Sequence, residues 1–263
     1  MLEKQIIKNL ANELYTAQKT CTPIEAITDR YPQITIEEAY EVQLEVLKLK
    51  EADGIHVIGK KIGLTNKAIR DQIGVQEPDY GIITSEGLLL DGDFLYMDNF
   101  IAPRIETEIA FILSKDITKD IYPVKPTDII EATYGIAPAL EIVDSRVKDW
   151  KIKIQDTVSD AASYGAVVLG NRITKLKGLD LRLIGMAAYL NGELVQNGSS
   201  AAVMGNPINS MVWLANKLLN LGMEMKKGEI IISGSLTPVF DIKAGDTVNV
   251  IFDHLGSVSL AIR

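Results

Sequence analysis

Glu106 and Glu108 are the residues best placed to do chemistry, because of where they stand. They interrupt the apolar run Pro103-Arg104-Ile105-Glu106-Thr107-Glu108-Ile109-Ala110-Phe111-Ile112-Leu113. Residues i and i+2 of a strand share one face, so this run aims two carboxylates the same way. Like charges at that spacing repel, and burying them costs several kcal/mol unless something compensates. A hard divalent cation such as Mg²⁺, Mn²⁺ or Ca²⁺ would compensate, since such ions take oxygen ligands. Glu141, in Pro138-Ala139-Leu140-Glu141-Ile142-Val143-Asp144, offers a third oxygen donor from a second apolar run. A solvated strand face with exposed acids satisfies the same spacing. Ile105, Ile109 and Phe111 make the opposite face apolar, and both readings stay open at this level.

Other candidate groups are fewer. Gly54-Ile55-His56-Val57-Ile58-Gly59-Lys60-Lys61 stops one residue short of a phosphate-binding loop. Lys61 stands where Ser or Thr must hold Mg²⁺, and the turn precedes a strand instead of following one, which argues against nucleotide hydrolysis. On a strand Lys60 and Lys61 alternate, so one points inward and the other to solvent. An inward lysine near three carboxylates is a charge partner or a proton-transferring group. Pro78-Asp79-Tyr80-Gly81 has the composition of a turn. Asp156 to Ser163 clusters acids and hydroxyls in a loop-like stretch. Ser233-Gly234-Ser235-Leu236-Thr237-Pro238 either binds a carboxylate through backbone N–H and hydroxyl groups or simply turns the chain. His56 and His254, the only histidines, share no spacing with an acid, so no nucleophile triad is expected.

The elements that must position these groups suggest an α+β chain, with a helical segment over residues 1–55 and a strand-rich domain over 56–263. Leu2, Ile6, Ile7, Leu10 and Leu14 recur at helical spacing. Thr22-Pro23-Ile24-Glu25 and Thr35-Ile36-Glu37-Glu38 both have the pattern of a capping box. Strands are expected at 57–62, 105–113, 139–143, 165–169, 183–190, 230–233, 247–252 and 257–262, with a hairpin turn at Asn191-Gly192. One helix, from Pro207 to about Leu221, is capped by Asn206. The net charge of −8 speaks against nucleic-acid binding. A single cysteine, Cys21, excludes an intrachain disulfide and a thiolate zinc cluster. The start, Met1-Leu2-Glu3-Lys4, does not resemble a secretion signal, and no apolar run reaches the ~20 residues that span a bilayer. The expectation is a cytoplasmic protein that binds neither membrane nor nucleic acid.

Taken in order, several segments resemble the 2-keto-4-pentenoate (2-hydroxypenta-2,4-dienoate) hydratase family of the fumarylacetoacetase-like superfamily. They are Lys61-Ile62-Gly63-Leu64-Thr65, Gly74-Val75 with Pro78-Asp79-Tyr80-Gly81, Pro103 to Ala110, and Pro138 to Arg146. Asp149-Trp150, Asp156-Thr157-Val158 and Leu255-Gly256-Ser257-Val258 complete the series. The resemblance implies a mixed β-roll or barrel core behind the helical segment. It puts Mg²⁺ or Mn²⁺ on Glu106, Glu108 and Glu141 and gives Lys61, Asp79 and Ser163 catalytic roles; Arg104, Ser233 and Ser235 are the candidates for substrate binding. The implied reaction adds water to 2-hydroxypenta-2,4-dienoate, giving 4-hydroxy-2-oxopentanoate, in meta-cleavage catabolism of aromatic compounds. 4-Oxalocrotonate decarboxylase shares the metal ligands and the lysine, and is the main alternative. An acylpyruvate hydrolase and a non-catalytic partner subunit are further ones. The implied partners are a small 2-oxo or 2-hydroxydienoic acid, further copies of the chain, and a decarboxylase or aldolase of the same pathway. One departure stands out: the family's usual Asp-Asn-Ala-Ser reads Asp160-Ala161-Ala162-Ser163 here.

Overall fold

The computed structural model describes residues 2–263. Three helices open it: α1 (Lys4–Thr20), α2 (Ile27–Arg30) and α3 (Ile36–Ala52). Their apolar stripes meet in a cluster of their own, with Ile7, Leu10 and Leu14 against Ile27, Ile34 and Val42. The Thr35 hydroxyl accepts from the Glu38 N–H and the Glu38 carboxylate accepts from the Thr35 N–H, so this capping box forms. The one expected at Thr22 does not. Ile24 instead donates to the Arg146 carbonyl and accepts from the Lys148 N–H, both at 2.9 Å. A tertiary partner thus takes the backbone groups that a helix would need, and α2 begins only at Ile27.

After the helices come β1 (Val57–Gly63), α4 (Lys67–Ile73), β2 (Asp79–Thr84), β3 (Leu88–Leu90), β4 (Phe94–Leu95) and β5 (Arg104–Leu113). They continue through α5 (Pro126–Ala132), β6 (Thr133–Val143), α6 (Ile154–Ser159), β7 (Tyr164–Leu169), β8 (Gly185–Leu190) and β9 (Glu193–Ser199). The chain ends with α7 (Pro207–Asn220), β10 (Ile230–Ile232), β11 (Phe240–Asp241), β12 (Thr247–Phe252) and β13 (Gly256–Ile262). Two further segments differ from the sequence reading. Asp79 opens β2 instead of a turn, because the β1 ladder takes its backbone in antiparallel register. The acid and hydroxyl cluster after Lys153 coils into α6, where the Asp156 carboxylate accepts from the N–H groups of Lys153 and Thr28.

A mixed sheet runs in the order β2-β1-β10-β5-β6-β7-β3, with β11 added to β5. It curls until β2 packs on β7 and on the turn at 161–163. Its two edges are not hydrogen-bonded to each other, so the roll stays open and no barrel closes. A second sheet, β4-β13-β12-β8-β9, contains the hairpin at Asn191-Gly192. Both turn residues have positive φ, as that dipeptide favours.

Strand β5 divides the interior by alternation. Ile105, Ile109 and Phe111 enter the large core, with Met211 and Leu214 of α7 and Val250 and Phe252 of the second sheet. Glu106, Glu108 and Ala110 take the opposite face, inside the curl. There Ala110 joins Ile83, Ala139, Val167, Ile230 and Ile232 in a smaller apolar cluster. Among the described residues, no helix is long and apolar enough to cross a membrane.

Candidate active site

Register assembles the acids. Antiparallel pairing of β5 with β6 sets Glu106 directly across from Glu141, with Glu108 one step along the same face. One carboxylate oxygen from each of the three lies within 4.8 Å of the others. Glu108 and Glu141 are completely buried. The Gly234 N–H donates to Glu108 Oε2 at 2.6 Å. Gly234 has φ of 115°, and a Cβ there would come within 2.4 Å of Thr65, so this donor position requires glycine. Glu108 Oε1 and Glu141 Oε2 have no hydrogen-bond partner among the described residues. Two buried carboxylates with oxygens that lack donors, converging with the half-buried Glu106, fit a hard divalent cation.

Lys61 and Asp79 face this cluster from the other wall of the curl. Lys61 is 3% exposed; its Nζ lies 2.6 Å from Glu141 Oε1 and donates to the Ala162 carbonyl at 2.7 Å. The two sequence motifs around them are cross-strand partners, Lys61 opposite Gly81 and Gly63 opposite Asp79. Each glycine leaves room for its neighbour: a Cβ on Gly63 would come within 2.1 Å of Asp79 Oδ1, and one on Gly81 within 2.0 Å of the Ala161 carbonyl.

Burial penalises every charge here, and the charges answer one another. Burial raises Glu108 well above the usual carboxylate range, and the negative charges of Glu141 and Glu106 add to it. Burial, opposed by Lys61, leaves Glu141 at about 7 and Asp79 at about 6. Glu106 is raised for the same reason. For Lys61, burial disfavours the ammonium, but Glu141, Glu106 and Asp79 outweigh it and hold the pKa above the ordinary lysine range. Lys61 is therefore a fixed positive charge, whereas Asp79 exchanges its proton near neutrality.

Ser163 closes the third side. Its hydroxyl is 3.1 Å from that of Thr157 on α6. Ala161, Ala162 and Ser163 all have positive φ, between 50° and 57°. This left-handed turn aims the Ala162 carbonyl at Lys61, and sequence gave no sign of it, because alanine rarely adopts that conformation.

Lys61, Asp79, Glu106, Ser163, Arg104 and Ser235 all line a single cavity of about 790 Å³. Arg104 lies 2.9 Å from Asp241 and stacks on Trp150. Ser233 does not line it. Its N–H donates to the Ile109 carbonyl of β5, and the residue is fully buried. Lys60 is not open to solvent. It does occupy the face opposite Lys61, but that face is covered, and its Nζ donates to both Glu229 oxygens at 2.6 Å. The backbone N–H of the 233–238 run does meet a carboxylate, that of Glu108 through Gly234, whereas the sequence gives Trp150 no role beyond its place in the resemblance, and only the folded loop brings its ring to Arg104.

Residues 91–263 match the profile described as fumarylacetoacetate (FAA) hydrolase C-terminal. The chain belongs to this family. Within the FAA hydrolase family it is 41% identical to the 2-hydroxyhexa-2,4-dienoate hydratase of Comamonas testosteroni, over 99% of this chain and 98% of that protein. It is 38% identical to the 2-keto-4-pentenoate hydratase of Paraburkholderia xenovorans, over 94% and 91% of the two chains. The fold superposes with a TM-score of 0.96 on 4-oxalocrotonate decarboxylase from Pseudomonas putida G7, complexed with magnesium and adipate. That protein is 32% identical, with 100% of this chain and 99% of the other covered. The profile begins after Lys61 and Asp79, whereas these relatives also span the segment that carries both.

Proposed function

We propose that this protein is a hydro-lyase that adds water to 2-hydroxypenta-2,4-dienoate, giving 4-hydroxy-2-oxopentanoate, with a divalent cation held by Glu106, Glu108 and Glu141. The carrying observation is that Lys61 and Asp79 line one cavity with Glu106, whose carboxylate converges with those of Glu108 and Glu141. Full-length identity to dienoate hydratases supports the reaction. The decarboxylase complexed with magnesium supports the kind of ion, and Mg²⁺ or Mn²⁺ suits three carboxylate donors.

The bound cation would supply Lewis-acid charge for the enolate form of the substrate. The chain's own groups do the rest. Lys61 keeps its charge and lies where negative charge develops as the dienol becomes an unsaturated ketone, so it stabilises that charge electrostatically. Asp79, poised near neutral pH, positions the water that adds at C4 or takes its proton. The Ser163 hydroxyl, steadied by Thr157, is a further hydrogen-bonding group beside the reacting atoms. Arg104 and Ser235 border the same space and are the groups we assign to orienting the acid.

Decarboxylation of 4-oxalocrotonate is the second reading, favoured by the superposition on that enzyme. It passes through a comparable enolate but must hold a second carboxylate and keep water away from C4. Offering the dienol and oxalocrotonate separately to Mg²⁺-loaded protein, with products identified by mass, decides between them. Hydration of the dienol supports the proposal; CO₂ release without hydration overturns it. We also place the enzyme in the cytoplasm and expect copies to associate, which gel filtration reads directly.

A further inference from the structure

Strand β2, which opens with Asp79, is an edge of the curled sheet. An edge strand leaves a row of backbone groups without a ladder partner, and helix α3 supplies partners from its side chains. Tyr40 and Gln43 stand three residues apart, on one face of α3. The Tyr80 N–H donates to the Tyr40 hydroxyl at 3.4 Å, and the Tyr80 carbonyl accepts from Gln43 Nε2 at 3.3 Å. The two tyrosine rings stack, with centroids 4.4 Å apart. Asp79, one residue earlier, has a buried Oδ1 without a hydrogen-bond partner among the described residues, so its backbone must place the carboxylate.

Gln43 also reaches across the open seam of the roll. Its Nε2 donates to the Val158 carbonyl of α6 at 2.7 Å. Val158 follows Thr157, whose hydroxyl meets that of Ser163. Both acceptors are carbonyls, so the amide must turn its N–H groups to them. Gln43 is 3% exposed, and its own Oε1 has no partner among the described residues. An unpaired buried oxygen is a cost that the two donated bonds must offset. Thr28 of α2 holds α6 as well, through its N–H and hydroxyl to the Asp156 carboxylate.

Resting on the hydratase reading for the role of Asp79, we infer that Gln43 and Tyr40 are positioning residues. Through them the helical segment spans the seam that no strand pairing closes, and sets Asp79 on one wall against Ser163 on the other. Neither side chain lines the cavity, so both act through the backbone of Tyr80 and Val158. Misplacing a catalytic group by about 1 Å costs about 10²-fold in rate.

Three variants test this. Gln43→Met keeps the side-chain volume and removes both donated bonds. Tyr40→Phe keeps the ring stack and removes only the hydroxyl, so it serves even if Gln43→Met folds poorly. Leu10→Ala, in the separate apolar cluster of the helices, controls for lost stability alone. In the Mg²⁺-loaded protein Gln43→Met should lower kcat for dienol hydration about ten- to a hundredfold, and Tyr40→Phe about three- to tenfold. KM should stay within about threefold of the parent, and Mn²⁺ affinity should not change. Solvent-deuterium exchange at the enolisable carbon should fall less than hydration does. Leu10→Ala should melt lower yet keep the parental kcat per folded molecule. Peptide-resolved hydrogen exchange adds a readout that needs no turnover: in Gln43→Met the amides of residues 79–84 and 154–163 should exchange faster, while those of 104–113 keep the parental rate. Parental kcat in Gln43→Met, equal loss of hydration and deuterium exchange, a like loss of kcat in Leu10→Ala, or faster amide exchange spread through β5 overturns the inference. If the parent does not hydrate the dienol but the amide pattern holds, the hydratase reading falls and the clamp stands. Hydration by the parent, with both positioning variants unchanged in rate and amide exchange, does the reverse.

Discussion

Adjacent lysines on β1 should give opposite phenotypes when each is replaced by methionine. Lys60 Nζ donates to both oxygens of Glu229 at 2.6 Å, and the two side chains are only 7% and 11% exposed. Removing the ammonium strands a buried carboxylate, a change that costs ~3–5 kcal/mol for buried pairs. The remaining access to water puts Lys60→Met near the lower figure, about 3 kcal/mol. In a chain of this size that lowers Tm by about 6–12 °C. Because Lys60 lies on the face away from the cavity, kcat per folded molecule should stay within about twofold of the parent. Replacing both partners, Lys60→Met with Glu229→Leu, should recover stability to within about 1 kcal/mol, since a buried pair is roughly neutral against apolar residues. Lys61→Met should instead lower kcat by about 10²- to 10⁴-fold. Urea unfolding and active-site-normalised kinetics on the four proteins test this. The reasoning fails if Lys60→Met slows folded molecules by more than about tenfold, if Lys61→Met turns over normally, or if the double mutant is no more stable than Lys60→Met.

Ala161→Asn or Ala161→Gly should raise stability by about 1 kcal/mol, because φ of 50° costs alanine more than either replacement; a lower melting temperature would contradict this. The metal-free protein should lose stability as pH rises. A carboxylate raised to about 7 (Glu141) or about 6 (Asp79) binds its proton more tightly folded than unfolded. The folded state is therefore favoured below that window, and the benefit is lost between about pH 4 and pH 7. Saturating Mg²⁺ should flatten the profile, which melts across that range would read. Asp79→Asn should suppress hydration more than it suppresses solvent-deuterium exchange at the enolisable carbon, and equal loss of both would remove Asp79 from the water-handling step.

The parts of this structure that depend on short-range pattern were legible in the sequence. The shared face of Glu106 and Glu108 follows from a period of two, and the Thr35 box, the Asn206-capped helix and the Asn191-Gly192 hairpin follow from local hydrogen bonding. What depends on register or distant partners was not. Nothing near Glu141 says that it stands opposite Glu106; that needed the β5–β6 ladder. Lys60 was expected in solvent because its partner, Glu229, is 169 residues away. Asp79 carries turn composition, yet an antiparallel ladder overrides it. Ser233 and Ser235 belong to one small-residue run, but the end of β10 sends only Ser235 to the cavity. The resemblance supplied the set of acids and the lysine, while the left-handed turn at 161–163 emerged only from the backbone.

Product analysis in ¹⁸O-labelled water tests the central claim most directly. Protein stripped of divalent ions and then resupplied with Mg²⁺ is offered 2-hydroxypenta-2,4-dienoate, beside a control kept in chelator and a Glu108→Gln variant. The expected result is 4-hydroxy-2-oxopentanoate labelled at C4 in the Mg²⁺ sample alone, with the variant folded but nearly inactive. Undiminished labelling in chelator, full activity in Glu108→Gln, or no labelled product with Mg²⁺ present would contradict the account.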